Sequence, residues 1–316
     1  MITMTEYVIQ TKGLKKSFKN VQAVQGIDLN VEKGDIYGFL GPNGAGKTTT
    51  IKMILDLTQP DSGDVFINGR NSKEMGVLAR QGIGYLPERA QFYQNLTALQ
   101  TMEFFAELKG VGKEECDELL AKVGMDKWRD EKVGTFSKGM VQLVGVAQAL
   151  LGSPHLLILD EPTSGLDPRW ARALKDIILE MNGKGTTVFF SSHLLFEVQE
   201  LCKHAAILNR GQLIIEDTVT KMSEGLTGKP KLIIRVTGDP APGVKALTDA
   251  GITDVQVHGQ VISVHVDANQ KSQVMKILAL ANVDVEDFKT EDSSLEDAFI
   301  KYIGADSTPG GDRNEA

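Results

Sequence analysis

The nine residues Gly41-Pro42-Asn43-Gly44-Ala45-Gly46-Lys47-Thr48-Thr49 combine the types that can hold a chain of phosphates. Their spacing matches G-x-x-x-x-G-K-[ST] at Gly41, Gly46, Lys47 and Thr48, with small residues that let backbone N–H groups turn inward around an anion. In such a cradle Lys47 reaches the β- and γ-phosphates and Thr48 ligates Mg²⁺. Four fixed positions match by accident in roughly one chain in a hundred of this length, so a phosphate cradle outweighs a chance glycine loop. Downstream, Asp160-Glu161 closes the apolar run His155-Leu156-Leu157-Ile158-Leu159. By itself such an acidic pair is a strand-end cap. Beside a phosphate cradle it takes on chemistry, because phosphoryl transfer needs a carboxylate on Mg²⁺ and a group that orients the attacking water. Asp160 suits the metal and Glu161 the water, where a well-placed general base contributes roughly 10²–10⁴ in rate.

Positioning these groups requires a strand, a loop and a helix in that order. Ile36-Tyr37-Gly38-Phe39-Leu40 predicts a buried strand and Lys47 to Leu55 a helix, whose positive dipole end adds to the pocket. Residues 7 to 33 predict short strands with turns at Lys12-Gly13 and Lys19-Asn20. Further strands are predicted at Asp64 to Gly69 and at Ile83 to Leu86, before Pro87. Three helices then form an insert: one capped by Thr97 and ended by Gly110, one from about Glu114 to Val123, one from near Ser137 to Leu151. His155 to Glu161 reads as a buried parallel strand, Pro168 to Met181 as a helix opened by proline, and Thr186 to His193 as another strand. This alternation predicts a doubly wound α/β sheet. Its ligands lie beyond the carboxyl ends of the strands, where Asp160, Glu161 and His193 fall.

A chain of 316 residues with 41% apolar content has room for two compact domains. The formal charge of -8 argues against a protein that coats nucleic acid. Cys116 and Cys202, the only cysteines, fall in different predicted helices and form neither a disulfide framework nor a thiolate metal site; a reducing cytosol fits best. No stretch approaches the ~20 apolar residues that cross a bilayer, and the N-terminus lacks the features of a signal peptide. If the protein works at a membrane, another chain supplies the spanning helices. The pattern changes near Thr227-Gly228-Lys229-Pro230. Residues 1–228 are therefore assigned to the first domain, with the insert at about 89–154. Residues 229–304 read as strand, helix, a hairpin turning at His258-Gly259-Gln260, helix, strand and a last helix from Ser294, a small ferredoxin-like α+β unit. Residues 305–316 read as a solvated tail.

Over residues 8 to about 225 the chain resembles the ATP-binding-cassette (ABC) ATPases, which are P-loop NTPases with a helical insert. Besides the P-loop, the matching segments are Phe136-Ser137-Lys138-Gly139-Met140 (signature loop) and Leu156 to Thr163 (Walker B and base). Ser164-Gly165-Leu166-Asp167 matches the D-loop and Ser191-Ser192-His193 the switch histidine. The resemblance implies ATP and Mg²⁺ as cofactors and ATP hydrolysis shared by two subunits. Ser137 and Gly139 of one subunit then contact the γ-phosphate held by Lys47 of the other. His193 clamps that phosphate and the water, Asp167 of the D-loop counts among the nucleotide-binding residues, and Phe18 stacks on adenine or packs as core. Two departures from the family pattern stand out: Lys138 and Met140 flank the single Gly139, and Glu88 replaces the usual glutamine. Both resemble a subset of exporter ATPases with a separately encoded permease and a C-terminal extension.

The implied function is an energy-coupling subunit at the cytoplasmic face of the cell membrane, paired with a second ATPase subunit and an integral-membrane permease. Phe92, Tyr93 and Leu96 could meet that permease or pack the insert onto the core. A soluble ABC ATPase acting on ribosomes or DNA is the alternative; one cassette, no sustained heptads and the acidic charge count against it. A GTPase or small-molecule kinase lacks support, since no Asn-Lys-x-Asp segment is found and the signature loop goes unexplained.

Overall fold

The computed structural model describes residues 6–226, 231–266 and 270–291. Two compact units, Met1–Val219 and Thr220–Ala316, divide the chain.

Alternating apolar residues build two long strands at the start of the first unit, β1 (Tyr7–Phe18) and β2 (Val21–Glu32). The turn expected at Lys12-Gly13 does not form. Gly13, at φ 57°, makes a bulge where the β1–β2 register shifts between Thr11 and Leu14, and one strand of 12 residues runs through it. With β4 (Ser62–Ile67) and β5 (Arg70–Asn71) these strands form an antiparallel sheet, ordered β2-β1-β4-β5. The strands that lead to the glycine loop, to Asp160-Glu161 and to His193 lie in a different, six-stranded sheet.

That sheet is built on β3 (Ile36–Leu40), β6 (Ile83–Leu86), β7 (Leu156–Asp160) and β8 (Thr187–Ser192). It is completed by β9 (His204–Asn209) and β10 (Gln212–Thr218), in the order β10-β9-β3-β8-β7-β6. Every residue of β3, β7 and β8 is buried, as expected of strands in the middle of a parallel sheet. Helix α1 (Lys47–Ile54) touches β1, β2 and β4 of one sheet and β7 of the other. Its Ile51, Met53 and Ile54 share one core cluster with Ile9, Leu29, Phe39 and Phe189. Burying each such side chain contributes about 1.5–3 kcal/mol, so the helix beneath the phosphate loop is fixed from both sides.

The short α2 (Ser72–Met75) precedes β6, and the insert follows β6 as α3 (Ala98–Lys109), α4 (Glu114–Lys122) and α5 (Lys138–Leu150). Thr97 caps α3 as expected, in a capping box with Gln100, and Gly110 ends it in the left-handed conformation. Beyond β7 come α6 (Pro168–Gly183) and α7 (Leu195–Leu201), and α8 (Val219–Leu226) starts where the second unit begins.

In the second unit β11 (Lys231–Thr237), α9 (Ala241–Asp249), β12 (Val255–His258), β13 (Val261–His265), α10 (Lys271–Leu280) and β14 (Asp284–Glu291) follow in turn. The sheet order β12-β13-β11-β14 is antiparallel throughout, the ferredoxin-like βαββαβ arrangement. Leu232, Ile234, Val264, Val274 and Leu278 form its core. Thr227-Gly228-Lys229-Pro230, the helix expected from Ser294 and the tail at 305–316 lie outside the described residues.

Candidate active site

The chain leaves β3 at Leu40 and turns at once. Gly41 N–H donates to the carbonyl of Ser192 at 3.3 Å, tying the loop to the end of β8. Gly46, at φ 107°, is the N-cap of α1 and offers no side-chain cap, so the first turn of the helix presents its N–H groups to an anion. A Cβ at Gly46 collides with the carbonyl of Ala23, and one at Gly41 with that of Leu208. Backbone from β2 and β9 therefore presses against the loop where only glycine fits. Gly46→Ala is expected to lower the melting temperature and weaken nucleotide binding about tenfold, because a left-handed residue plus a steric collision costs roughly 1–3 kcal/mol. Thermal shift and equilibrium dialysis on one preparation measure both; a wild-type dissociation constant refutes it.

Lys47 is the first residue of α1 and is 5% exposed. Its Nζ donates to the carbonyls of Gly41 at 2.6 Å and Pro42 at 3.3 Å and lies 3.0 Å from Glu161 Oε1. The other oxygen of Glu161, Oε2, is 2.8 Å from His193 Nδ1. An ionised Glu161 only accepts, so Nδ1 carries the proton of that bond. Three of the residues singled out in the sequence thus form one chain, Lys47–Glu161–His193, at the carboxyl ends of β7 and β8.

Asp160 ends β7 and is fully buried. Burial pushes its carboxyl above the ordinary range, opposed by the Ser191 hydrogen bond and the nearby Thr48 hydroxyl, with the charges of Glu161 and Glu88 adding to the upward shift. Oδ1 accepts from Ser191 Oγ at 2.6 Å, while the buried Oδ2 has no hydrogen-bond partner. Glu161 itself stands at φ 49°, a conformation that non-glycine residues seldom adopt and that concentrates at functional sites. Burial and then the charge of Asp160 push the phenol of the neighbouring Tyr85 up to about 12, so it stays protonated.

Lys47, Thr48 and Glu161 face a cavity of about 810 Å³ lined by the loop from Pro42 to Thr49 together with Glu88 and Glu161. Asp160 and His193 adjoin it through Thr48 and Glu161. Its other wall is not evident from the motifs: Asn20, Val21, Gln22, Ala23, Gln25 and Arg210. Gly211 N–H donates to Ala45 O at 2.8 Å, Gln25 N–H to Gly211 O at 2.7 Å, and Gln25 Nε2 to Arg210 O at 2.7 Å, which braids the β9–β10 turn to the loop. Phe18 is 48% exposed and is not among the lining residues; its ring has Lys16 Nζ above it at 5.4 Å.

Ser137, Gly139 and Asp167 do not line this cavity either. Ser137 is the N-cap of α5, accepting from Met140 N–H at 3.3 Å, and Asp167 is the N-cap of α6, accepting from Arg169 and Trp170 N–H. The two loops touch each other instead. A Cβ on Gly139 stands 3.3 Å from Gly165 O, and the Lys138 stem covers Gly165.

Comparison with known proteins gives this geometry its context. The sequence profile of the family described as ABC transporter matches residues 24–164. The chain is 37% identical over 302 residues to the bacitracin transport ATP-binding protein BcrA of Bacillus licheniformis, covering 94% of this chain and 97% of that one. It is 31% identical over 313 residues to the daunorubicin/doxorubicin resistance ATP-binding protein DrrA of Streptomyces peucetius, covering 96% and 94%. A solved structure of an ATP-binding subunit of an ABC transporter superposes with a TM-score of 0.64 at 30% identity, over 69% of this chain and 92% of that one. With near full-length similarity at this identity, and a phosphate loop facing a buried acidic pair, the chain belongs to the ABC transporter family as an ATP-binding, ATP-hydrolysing subunit.

Proposed function

We propose that this subunit powers export through a separate integral-membrane permease and that it works as one of a pair of ATPase subunits at the cytoplasmic face of the cell membrane. The observation that carries the paired reading is the division of the motifs. Lys47 and Glu161 line one cavity, with His193 hydrogen-bonded to Glu161, whereas Ser137 and Gly139 line none of it and, among the described residues, bond to none that does. A second subunit brings its own serine loop to the nucleotide. The transport and resistance roles in the names of BcrA and DrrA support export. Among the described residues no helix is long and apolar enough to cross a membrane.

In this reading the N–H groups of Gly44 to Thr49 hold the triphosphate and Lys47 Nζ exchanges its carbonyl partners for the β- and γ-oxygens. Glu161 accepts a proton from the attacking water. His193 holds Glu161 through Nδ1; to donate from Nε2 to the γ-phosphate as well, the ring must carry both protons. The residues also fit Mg²⁺: Asp160 Oδ2 is buried and unpartnered beside the Thr48 hydroxyl. Bound there, Mg²⁺ neutralises and orients the phosphates.

The test combines assembly with capture. Size-exclusion chromatography coupled to light scattering is expected to give a monomer without nucleotide and a dimer with saturating Mg²⁺ and ATP. Affinity purification from membranes is expected to retain an integral-membrane protein. A chain that stays monomeric at saturating ATP and pulls down ribosomes instead refutes the proposal.

A further inference from the structure

Asp160 on β7 and Ser191 on β8 are direct register partners in a parallel pair, so their side chains leave the same face of the sheet on adjacent strands. Ser191 is fully buried on a strand whose residues Val188, Phe189 and Phe190 are buried and apolar. A hydroxyl in such a place is costly unless its hydrogen bonds are made. Both are. Ser191 Oγ–H donates to Asp160 Oδ1 at 2.6 Å, and the same oxygen accepts the N–H of Glu161 at 3.0 Å.

Each bond constrains one of the two acidic residues. With Oδ1 engaged by Ser191, rotation of the Asp160 carboxylate is restricted, and Oδ2 is the oxygen left without a partner. With its N–H held, Glu161 keeps the peptide plane that leads into its left-handed backbone at φ 49°, from which its side chain reaches Lys47 and His193. Ser192, the next residue, takes no part: its Oγ donates to Glu197 Oε2 at 2.6 Å and accepts Leu194 N–H at 2.9 Å.

We propose that Ser191 is a positioning residue for hydrolysis, its single hydroxyl aiming the Asp160 carboxylate at the Mg²⁺ position while pinning the backbone that presents Glu161. The inference rests on the roles given to Asp160 and Glu161 above. It assigns Ser191 no contact with nucleotide, water or metal. Its effect passes through the two carboxylates, so it acts on metal-dependent affinity and turnover and not on the phosphate loop itself.

Three variants test this: Ser191→Ala, Ser191→Cys and Ser191→Thr. Cysteine keeps nearly the volume of serine but is a weak donor and acceptor, and threonine keeps the hydroxyl. Dissociation constants for ATP are measured in EDTA and in Mg²⁺, with kcat and KM for hydrolysis from the same preparations. Ser191→Ala and Ser191→Cys are expected to bind ATP in EDTA within about twofold of wild type. The gain in affinity on adding Mg²⁺ shrinks, and kcat falls, by about 10–100-fold, the usual cost of losing a residue that orients a metal ligand. Ser191→Thr restores both. A cysteine variant with the wild-type Mg²⁺ gain and wild-type kcat overturns the role of Ser191 and leaves the roles of Asp160 and Glu161 standing. A wild-type protein that shows no Mg²⁺-dependent gain overturns the metal reading of Asp160, and the inference with it.

Discussion

Glu161→Gln is expected to reduce ATP turnover by about 10²–10⁴, the contribution of a well-placed general base, while ATP remains bound with wild-type or tighter affinity. The two effects have separate physical origins. An amide cannot take a proton from water at neutral pH, so the water is no longer activated. The same change deletes a negative charge at the end of the cavity where Lys47 directs the γ-phosphate, and unit charges about 4 Å apart repel by a few kcal/mol at an effective dielectric constant of 20. Glutamine retains the length of the side chain, and its carbonyl oxygen can still accept from Lys47 or His193, which lie 3.0 and 2.8 Å from the two carboxylate oxygens. The left-handed backbone at this position is indifferent to the substitution. With binding intact and hydrolysis blocked, the nucleotide-bound dimer should accumulate and persist through size-exclusion chromatography. Hydrolysis at the wild-type rate removes Glu161 from the role of base. Loss of both binding and turnover makes it a structural partner of Lys47 and not a catalyst.

How much of this site is legible in the chain depends on whether its parts are local. The phosphate loop, the acidic pair and His193 are recognisable because each is a contiguous string attached to an apolar strand, and parallel pairing brings those strand ends together. The far wall of the cavity is not local. Gln25 and Arg210, joined by a hydrogen bond at a sequence separation of 185, carry no motif, and their place follows from β9 lying beside β3. The same holds for Ser191, whose serine reads as part of the histidine segment until the register sets it beside Asp160. Gly13 misleads for a different reason: a glycine at positive φ serves a turn and a bulge equally well, and only pairing on both edges of β1 decides between them. Phe18 carries no local signal that separates a stacking surface from core packing; its ring stands half exposed at the end of β1 with Lys16 Nζ over it.

Lys47→Ala is expected to raise the dissociation constant for ATP by about 10–150-fold, the equivalent of one or two charge-assisted hydrogen bonds at roughly 1.5–3 kcal/mol. Among the cationic residues that line the cavity, Arg210 is exposed on a surface turn and Lys47 is the buried one, fixed by the carbonyls of Gly41 and Pro42. Its removal leaves Asp160, Glu161 and Glu88 facing the phosphates without their nearest positive charge, which turns a favourable end of the cavity into a repulsive one. Two comparisons separate charge from packing. Lys47→Met keeps most of the buried stem, so a loss equal to that of alanine assigns the effect to the ammonium group. AMP has neither a β- nor a γ-phosphate, so its affinity should change far less than that of ADP or ATP. Equal losses for all three nucleotides would instead indicate a collapsed loop, and an unchanged ATP affinity would contradict the cradle. Glu161 retains His193 as a partner in these variants, so thermal stability should fall less than when a buried charge is left wholly unpaired, a case that costs about 3–5 kcal/mol.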